Sequence, residues 1–208
     1  DQTYALYNLT QEQLKRTLMP DGDYSKEQIR KFAADLGLKV ADKPDSQDIC
    51  FVPDGDYASF IRETTGKEIP EGNFVTTDGK VLGRHRGIIH YTVGQRKGLG
   101  IALGYPAFVL EIRPETNEVV IGTYEESLNR TLRADRLNFM AAEDLTEPKR
   151  MLAKIRYNHK GAWCTVEKSG TDEITCTFEE PIRAVTPGQA VVLYDGEYVF
   201  GGGTIKPL

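Results

Sequence analysis

The second half of the chain most constrains the fold. Beyond about residue 124, short apolar stretches follow one another with turns between them: 151–157, 163–167, 174–178, 190–194 and 198–200. Asp195-Gly196 is a hairpin turn signal, because both residue types tolerate the positive φ that a two-residue turn demands. Five or six short strands in about 80 residues, without a helical period among them, predict a small closed antiparallel barrel. Gly201-Gly202-Gly203 reads as a bend in the last strand.

The first fifty residues carry helical punctuation instead. Thr10 followed by Gln13, and Ser25 followed by Gln28, are capping boxes. The first opens a helix expected to run to about Leu18, stopped by Pro20. The second opens a helix whose Ile29, Phe32, Ala33 and Leu36 recur at three- and four-residue spacing, with Gly37 at the expected C′ position. Residues 38–40 and 49–52 read as short strands, the polar stretch 42–48 as a loop, and 56–64 as a further helix. From Gly72 the period changes to two. Asp78-Gly79 predicts a hairpin between 74–75 and 81–82, and Pro114-Glu115-Thr116-Asn117 turns a second pair, 108–112 and 119–121. The expected class is α+β, predominantly β: a helical piece, a small mixed central domain and a C-terminal antiparallel β-barrel.

Charge is unevenly spread. Residues 1–78 carry 9 basic and 15 acidic side chains, and residues 111–208 carry 12 and 16. Between them, residues 79–110 hold Lys80, Arg84, Arg86, Arg96 and Lys97 with no acid. A basic island in an acidic chain is either a footprint for phosphates or a solvated face paired with acids elsewhere. His85 and His90 flank it and His159 lies apart; none falls at metal-ligand spacing, and each is open to a structural role or a phosphate contact. Around Arg96-Lys97, Gly94, Gly98 and Gly100 let a ligand approach the backbone, though no Walker pattern is present.

The three cysteines, Cys50, Cys164 and Cys176, form no CxxC pair, so no metal site is expected, and their sparseness fits a reducing, cytoplasmic compartment. The longest apolar runs, such as residues 190–193, are far short of a membrane span, which needs about 20 residues. Cys164 and Cys176 are expected on the core face of one hairpin turning near Gly170, with Cys164 opposite Cys176 and Val166 opposite Ile174. By pattern alone Cys50 favours a packed small hydrophobe over a nucleophile, since Asp48 nearby disfavours the thiolate.

Several stretches carry a family resemblance: Asp-Gln-Thr-Tyr at 1–4, Asp-Ser-Gln-Asp-Ile-Cys-Phe-Val at 45–52, and Tyr-Thr-Val-Gly-Gln-Arg-Lys-Gly-Leu-Gly-Ile at 91–101. Asp78 to His85, Lys154 to Tyr157 and Pro187 to Val192 match as well. In order and over the whole chain, these resemble the tRNA-specific 2-thiouridylases (the MnmA, or TrmU, family). The resemblance implies an ATP-dependent transfer of sulfur from a cysteine persulfide to C2 of the wobble uridine of tRNA. Its partners would be tRNA and a sulfur donor, either a cysteine desulfurase or a relay protein, with no membrane.

Cys50 matches the family's persulfide cysteine, which outweighs the packing reading from pattern alone. Asp1, Gln2, Arg156, Tyr157 and Gln189 match tRNA contacts, to which the basic island adds Arg96 and Lys97. The family's second cysteine and its Gly-Gly-x-Asp-Ser phosphate loop, which serves ATP with Mg, lie upstream of the matching region. The chain, which starts at Asp1 rather than Met, therefore reads as residues 1–55 from the end of the ATP pyrophosphatase domain, 56–123 as a central tRNA-binding domain and 124–208 as the barrel. A non-catalytic tRNA-binding barrel module is the alternative; Cys50 in its Asp-Ser-Gln context discriminates, because such a module has no use for it.

Overall fold

A computed structural model describes residues 2–42, 52 and 56–207. The chain divides into two compact units: Glu12–Glu68, and a second that joins residues 2–11 to everything from Ile69 onward.

The Glu12–Glu68 unit is helical. Helix α1 (Thr3–Leu6) belongs to the other unit; α2 (Gln11–Lys15), α3 (Lys26–Asp35) and α4 (Tyr57–Thr65) follow. Helix α2 stops at Lys15 rather than near Leu18, and residues 38–40 form a turn rather than a strand. Helix α3 has both halves of its capping box: Gln28 N–H donates to Ser25 Oγ at 3.3 Å, and Ser25 N–H to Gln28 Oε1 at 2.7 Å. At its far end Gly37 (φ 66°) and Leu38 return their N–H groups to Ala34 and Ala33, which is a Schellman closure. That closure turns the chain just where a strand was expected. Helix α4 starts on Asp56, whose carboxylate accepts from the Ser59 N–H at 3.0 Å, and ends on left-handed Gly66. The strand expected at 49–52 lies outside the described residues save for Val52, which is buried and extends no strand.

The central sheet is mixed, ordered β2 (Val81–His85), β1 (Gly72–Val75), β4 (Glu118–Gly122), β3 (Phe108–Arg113). Both predicted hairpins form, β1–β2 around Asp78-Gly79 and β3–β4 around residues 114–117, and β1 joins them by pairing parallel to β4. Phe74, Val109, Val119 and Ile121 make its core with Tyr91 and Leu99.

The predicted barrel also forms. It closes in the order β10 (Tyr198–Ile205), β5 (Leu128–Phe139), β8 (Glu173–Arg183), β7 (Ala162–Gly170), β6 (Lys149–Lys154), β9 (Ala190–Asp195), all antiparallel. Alternate residues point inward, among them Leu132 and Ala134, Met151 and Ala153, Ile174 and Phe178. Cys164 and Cys176 share this interior as expected, but in a different register. The hairpin turns at Thr171-Asp172, so Cys164 faces Phe178 and Val166 faces Cys176. The shift of two residues keeps both thiols on the core face. Among the described residues no helix is long and apolar enough to cross a membrane, and no cluster of His, Cys, Asp and Glu is arranged to hold a metal.

Candidate nucleic-acid interface

Two surfaces of the larger unit carry the expected binding residues. The first is the outer face of β9 and β10, where the N-terminal segment is docked. Asn138 Nδ2 donates to the carbonyls of Tyr7 (2.7 Å) and Leu9 (3.1 Å), Thr3 Oγ1 lies 3.1 Å from the Tyr194 hydroxyl, and Tyr4 Oη donates to the Ala190 carbonyl at 2.8 Å. The Tyr7 ring lies over Gly202, where a Cβ would stand 2.7 Å from it. Gly202 must therefore stay bare for an aromatic ring, and the glycine run is also where the strand is irregular as expected, its register shifting between Val199 and Gly201 and between Gly202 and Thr204.

Burial pushes the Tyr4 phenol up to about 12, with Tyr7 and Tyr194 adding to the shift and the Arg156 cation opposing it. The phenol thus stays protonated and keeps donating to Ala190. Its ring meets Tyr157 edge to face at 6.2 Å. Gln2, just before α1, Arg156, Tyr157 and Gln189, which precedes Ala190, are thereby gathered around Tyr4, and all four are exposed. Tyr4 itself was legible only as part of the opening motif; nothing in its spacing announces a link to residue 190.

The second surface is the loop after Tyr91. Gly94 N–H donates to the Val109 carbonyl at 2.8 Å and Val109 N–H to the Gln95 carbonyl at 2.9 Å, so the loop extends the free edge of β3. The Gln95 side chain braces it from both sides, accepting from Thr92 N–H (3.0 Å) and donating to the Lys97 carbonyl (2.9 Å). Arg96 and Lys97 project outward at the tip and are exposed. Arg96 also lines a shallow groove of about 420 Å³ with residues 98–103 and 105–107.

Pairing divides the exposed cations of this unit. Several have acidic neighbours, such as Arg133 with Glu173 (3.7 Å), Arg136 with Asp135 (3.5 Å) and Arg150 with Glu179 (2.5 Å). Arg84, from the basic island, pairs with Glu71 at 3.6 Å. Among the described residues Lys80, Arg86, Arg96, Lys97 and Arg156 make no ion pair, and neither do Arg130 and Lys160. In a chain with 31 acids and 26 bases, unpaired exposed cations are available to phosphates at no cost in broken pairs.

His85 is not available. It is 2% exposed, its Nδ1 accepts from the Gly87 N–H at 3.0 Å, and its Nε2 lies 3.1 Å from the Asn117 carbonyl. Of its two open roles the structural one holds. His159 is half-buried near Arg156, with burial and then the Arg156 charge holding its pKa down. Cys50 and Asp1 lie outside the described residues.

Comparison with known proteins bears on all three segments. Residues 1–54 match the family model described as the tRNA methyl transferase HUP domain, 58–123 the tRNA methyl transferase PRC-barrel domain, and 129–205 the aminomethyltransferase beta-barrel domain. The tRNA-specific 2-thiouridylase MnmA of Lachnoclostridium phytofermentans is 64% identical over 205 residues, which are 99% of this chain and 57% of the relative. Its namesakes from Acetivibrio thermocellus and Koribacter versatilis are 57% and 54% identical, again over 99% of this chain and 57% of theirs. The chain thus spans little more than half the length of the curated relatives it matches.

Proposed function

The chain belongs to the tRNA-specific 2-thiouridylase family, and from that premise we propose that it binds tRNA and carries the sulfur-bearing cysteine of a uridine-thiolating enzyme. The observation that supports this most is the docked N-terminal segment. It holds Gln2, Arg156, Tyr157 and Gln189 around one tyrosine, with an unpaired guanidinium and an exposed ring side by side. Arginine offers a planar fork to phosphate oxygens, and tyrosine a face on which a base or ribose can rest.

In this reading Cys50 carries the sulfur as a persulfide received from a protein donor. Its terminal sulfur forms the new bond to C2 of the wobble uridine as the C2 oxygen departs. The thiol of the family's second, upstream cysteine then breaks the sulfur–sulfur bond, forming a disulfide with Cys50 and leaving the transferred sulfur on C2. ATP with Mg supplies the activation of that oxygen in the whole enzyme. The 208 residues contain no Gly-Gly-x-Asp-Ser loop, and the described ones offer no metal cluster, so these residues do not fit that group. The thiols of Cys164 and Cys176 are fully buried and take no part.

The test separates binding from transfer. In an enzyme of the relatives' full length, Cys50→Ser should abolish thiouridine formation with tRNA affinity kept within about twofold, because no phosphate contact is lost. Arg156→Ala should weaken tRNA binding and flatten its log–log salt dependence by about 0.7–0.9. Thiouridine made at the normal rate by Cys50→Ser from a persulfide donor would rule out Cys50 as the carrier. Loss of binding in Arg156→Ala with no activity ever measurable would leave the non-catalytic module.

A further inference from the structure

The Arg96 groove holds an aromatic residue that the binding reading does not use. Tyr105 lines the same groove as Arg96 and is 46% exposed. Most other exposed aromatic rings of this unit have partners: Tyr157 meets Tyr4, Trp163 lies under Arg150 at 4.0 Å, and Tyr124 packs with Phe108 and Arg183; among the described residues Tyr198, at the β9–β10 turn, is the other without one. Among the described residues Tyr105 has no ring or cation partner.

The apolar residues behind it anchor the wall. Leu99 is buried in the sheet core, with Ile101 and Leu103 packed against that core, so the segment bearing Tyr105 is held from within. No backbone group from 98 to 107 bonds to another backbone group among the described residues. Arg96 and Lys97, both unpaired, precede this segment within a 32-residue block without an acid, which ends before Glu111.

We propose that this groove takes an unpaired nucleotide of RNA, with its base stacked on Tyr105 and its phosphate on Arg96. The chemistry favours RNA over an acidic protein segment, because a carboxylate would satisfy Arg96 yet leave an open aromatic face without use. A base satisfies both: every base has a π-face, and every nucleotide brings a phosphate within reach of a neighbouring cation. A paired base has its faces covered by its neighbours, so the site selects a loop, bulge or end. The inference rests on the tRNA-binding reading and adds a subsite to it.

The experiment measures binding of the 208-residue chain to an unmodified tRNA transcript and to a fully paired RNA duplex, each across a salt series. Tyr105→Ala should lose about tenfold for the tRNA with its salt slope unchanged, and nothing for the duplex. Tyr105→Phe should bind as the parent does, because the stack needs the ring and not the hydroxyl. Arg96→Ala should lose affinity for the tRNA and flatten its slope by about 0.7–0.9. Tyr105→Ala binding tRNA within twofold of the parent overturns the stacking site and leaves the tRNA reading standing. So does equal loss for tRNA and duplex. A folded parent chain that binds neither RNA overturns both.

Discussion

Gly94, in the loop that carries Arg96 and Lys97, lies against Ala184 at the end of β8: a Cβ on Gly94 would stand 2.6 Å from the Ala184 Cβ. Both residues have positive φ, 86° and 57°. Beside them Arg183 reaches between Phe108 and Tyr124, 5.1 and 5.3 Å from the ring centres. The basic loop and the barrel are thus joined through a contact that only glycine permits. Gly94→Ala adds a clash to a left-handed conformation that costs a non-glycine residue about 1–2 kcal/mol on its own. A loss of about 2–3 kcal/mol in a urea-unfolding series is expected; an unchanged midpoint would show that the loop moves freely.

Tyr4→Phe removes the hydroxyl that donates to the Ala190 carbonyl while keeping the ring on Tyr157. One hydrogen bond of this kind is worth about 0.5–1.5 kcal/mol. Amide hydrogen exchange over residues 3–9 should quicken by roughly that factor, with the barrel strands unaffected. Equal exchange in both proteins would mean that Asn138 and Tyr7 hold the segment unaided.

His85 sets a pH dependence. Burial, its largest influence, lowers its pKa below the ordinary 6.5. Its Nδ1 accepts from Gly87, so the neutral ring carries its proton on Nε2, toward the Asn117 carbonyl. A second proton on Nδ1 would face the Gly87 N–H donor. At pH values between the folded and unfolded pKa the unfolded chain binds more protons, so stability rises with pH there. The contribution is complete above 6.5 and is lost as the pH falls from 6.5 through the folded value; His159, also lowered, acts in the same direction. A His85 ring resonance titrating above 6.5 would contradict this arrangement.

Thiol reactivity should divide the cysteines. Cys164 and Cys176 are both 0% exposed, and the Cys176 pKa is raised by its hydrogen bond with Cys164 and by burial. Thiolates are the reacting species, so neither should be alkylated in the native chain. Iodoacetamide followed by mass spectrometry should mark Cys50 first and the barrel pair only after denaturant. Native labelling of Cys164 at a rate near that of Cys50 would show that the barrel opens.

Much of the local structure was legible because it is written in adjacent residues. The Ser25–Gln28 box, the Gly37 closure and the Asp78-Gly79 hairpin each depend on a few neighbouring positions and formed where expected. Strand β5 is absent from the five stretches that alternation picks out. Its inward Leu132 and Ala134 are interleaved with Arg130, Arg133 and Asp135, and at Arg136 the backbone takes φ 52°. The register of the cysteine hairpin was missed for a related reason. Asp172 at the turn accepts from the N–H groups of Arg136 (3.1 Å) and Leu137 (2.8 Å), so a distant strand helps place the turn.

The sequence by itself determined the two periods, the turns between strands, the closed barrel as the way to bury alternating faces, and the acid-free block that holds Arg96 and Lys97. The family's motifs were also legible there. Only the tertiary structure decided that Tyr4 meets Tyr157 and Ala190 beside Arg156, that Arg96 shares a groove with Tyr105, and that His85 is sealed in the core. The physical reason is range. A period or a cap is fixed by residues within a turn of each other, whereas Tyr4 and its acceptor are 186 positions apart and meet only once the barrel has closed.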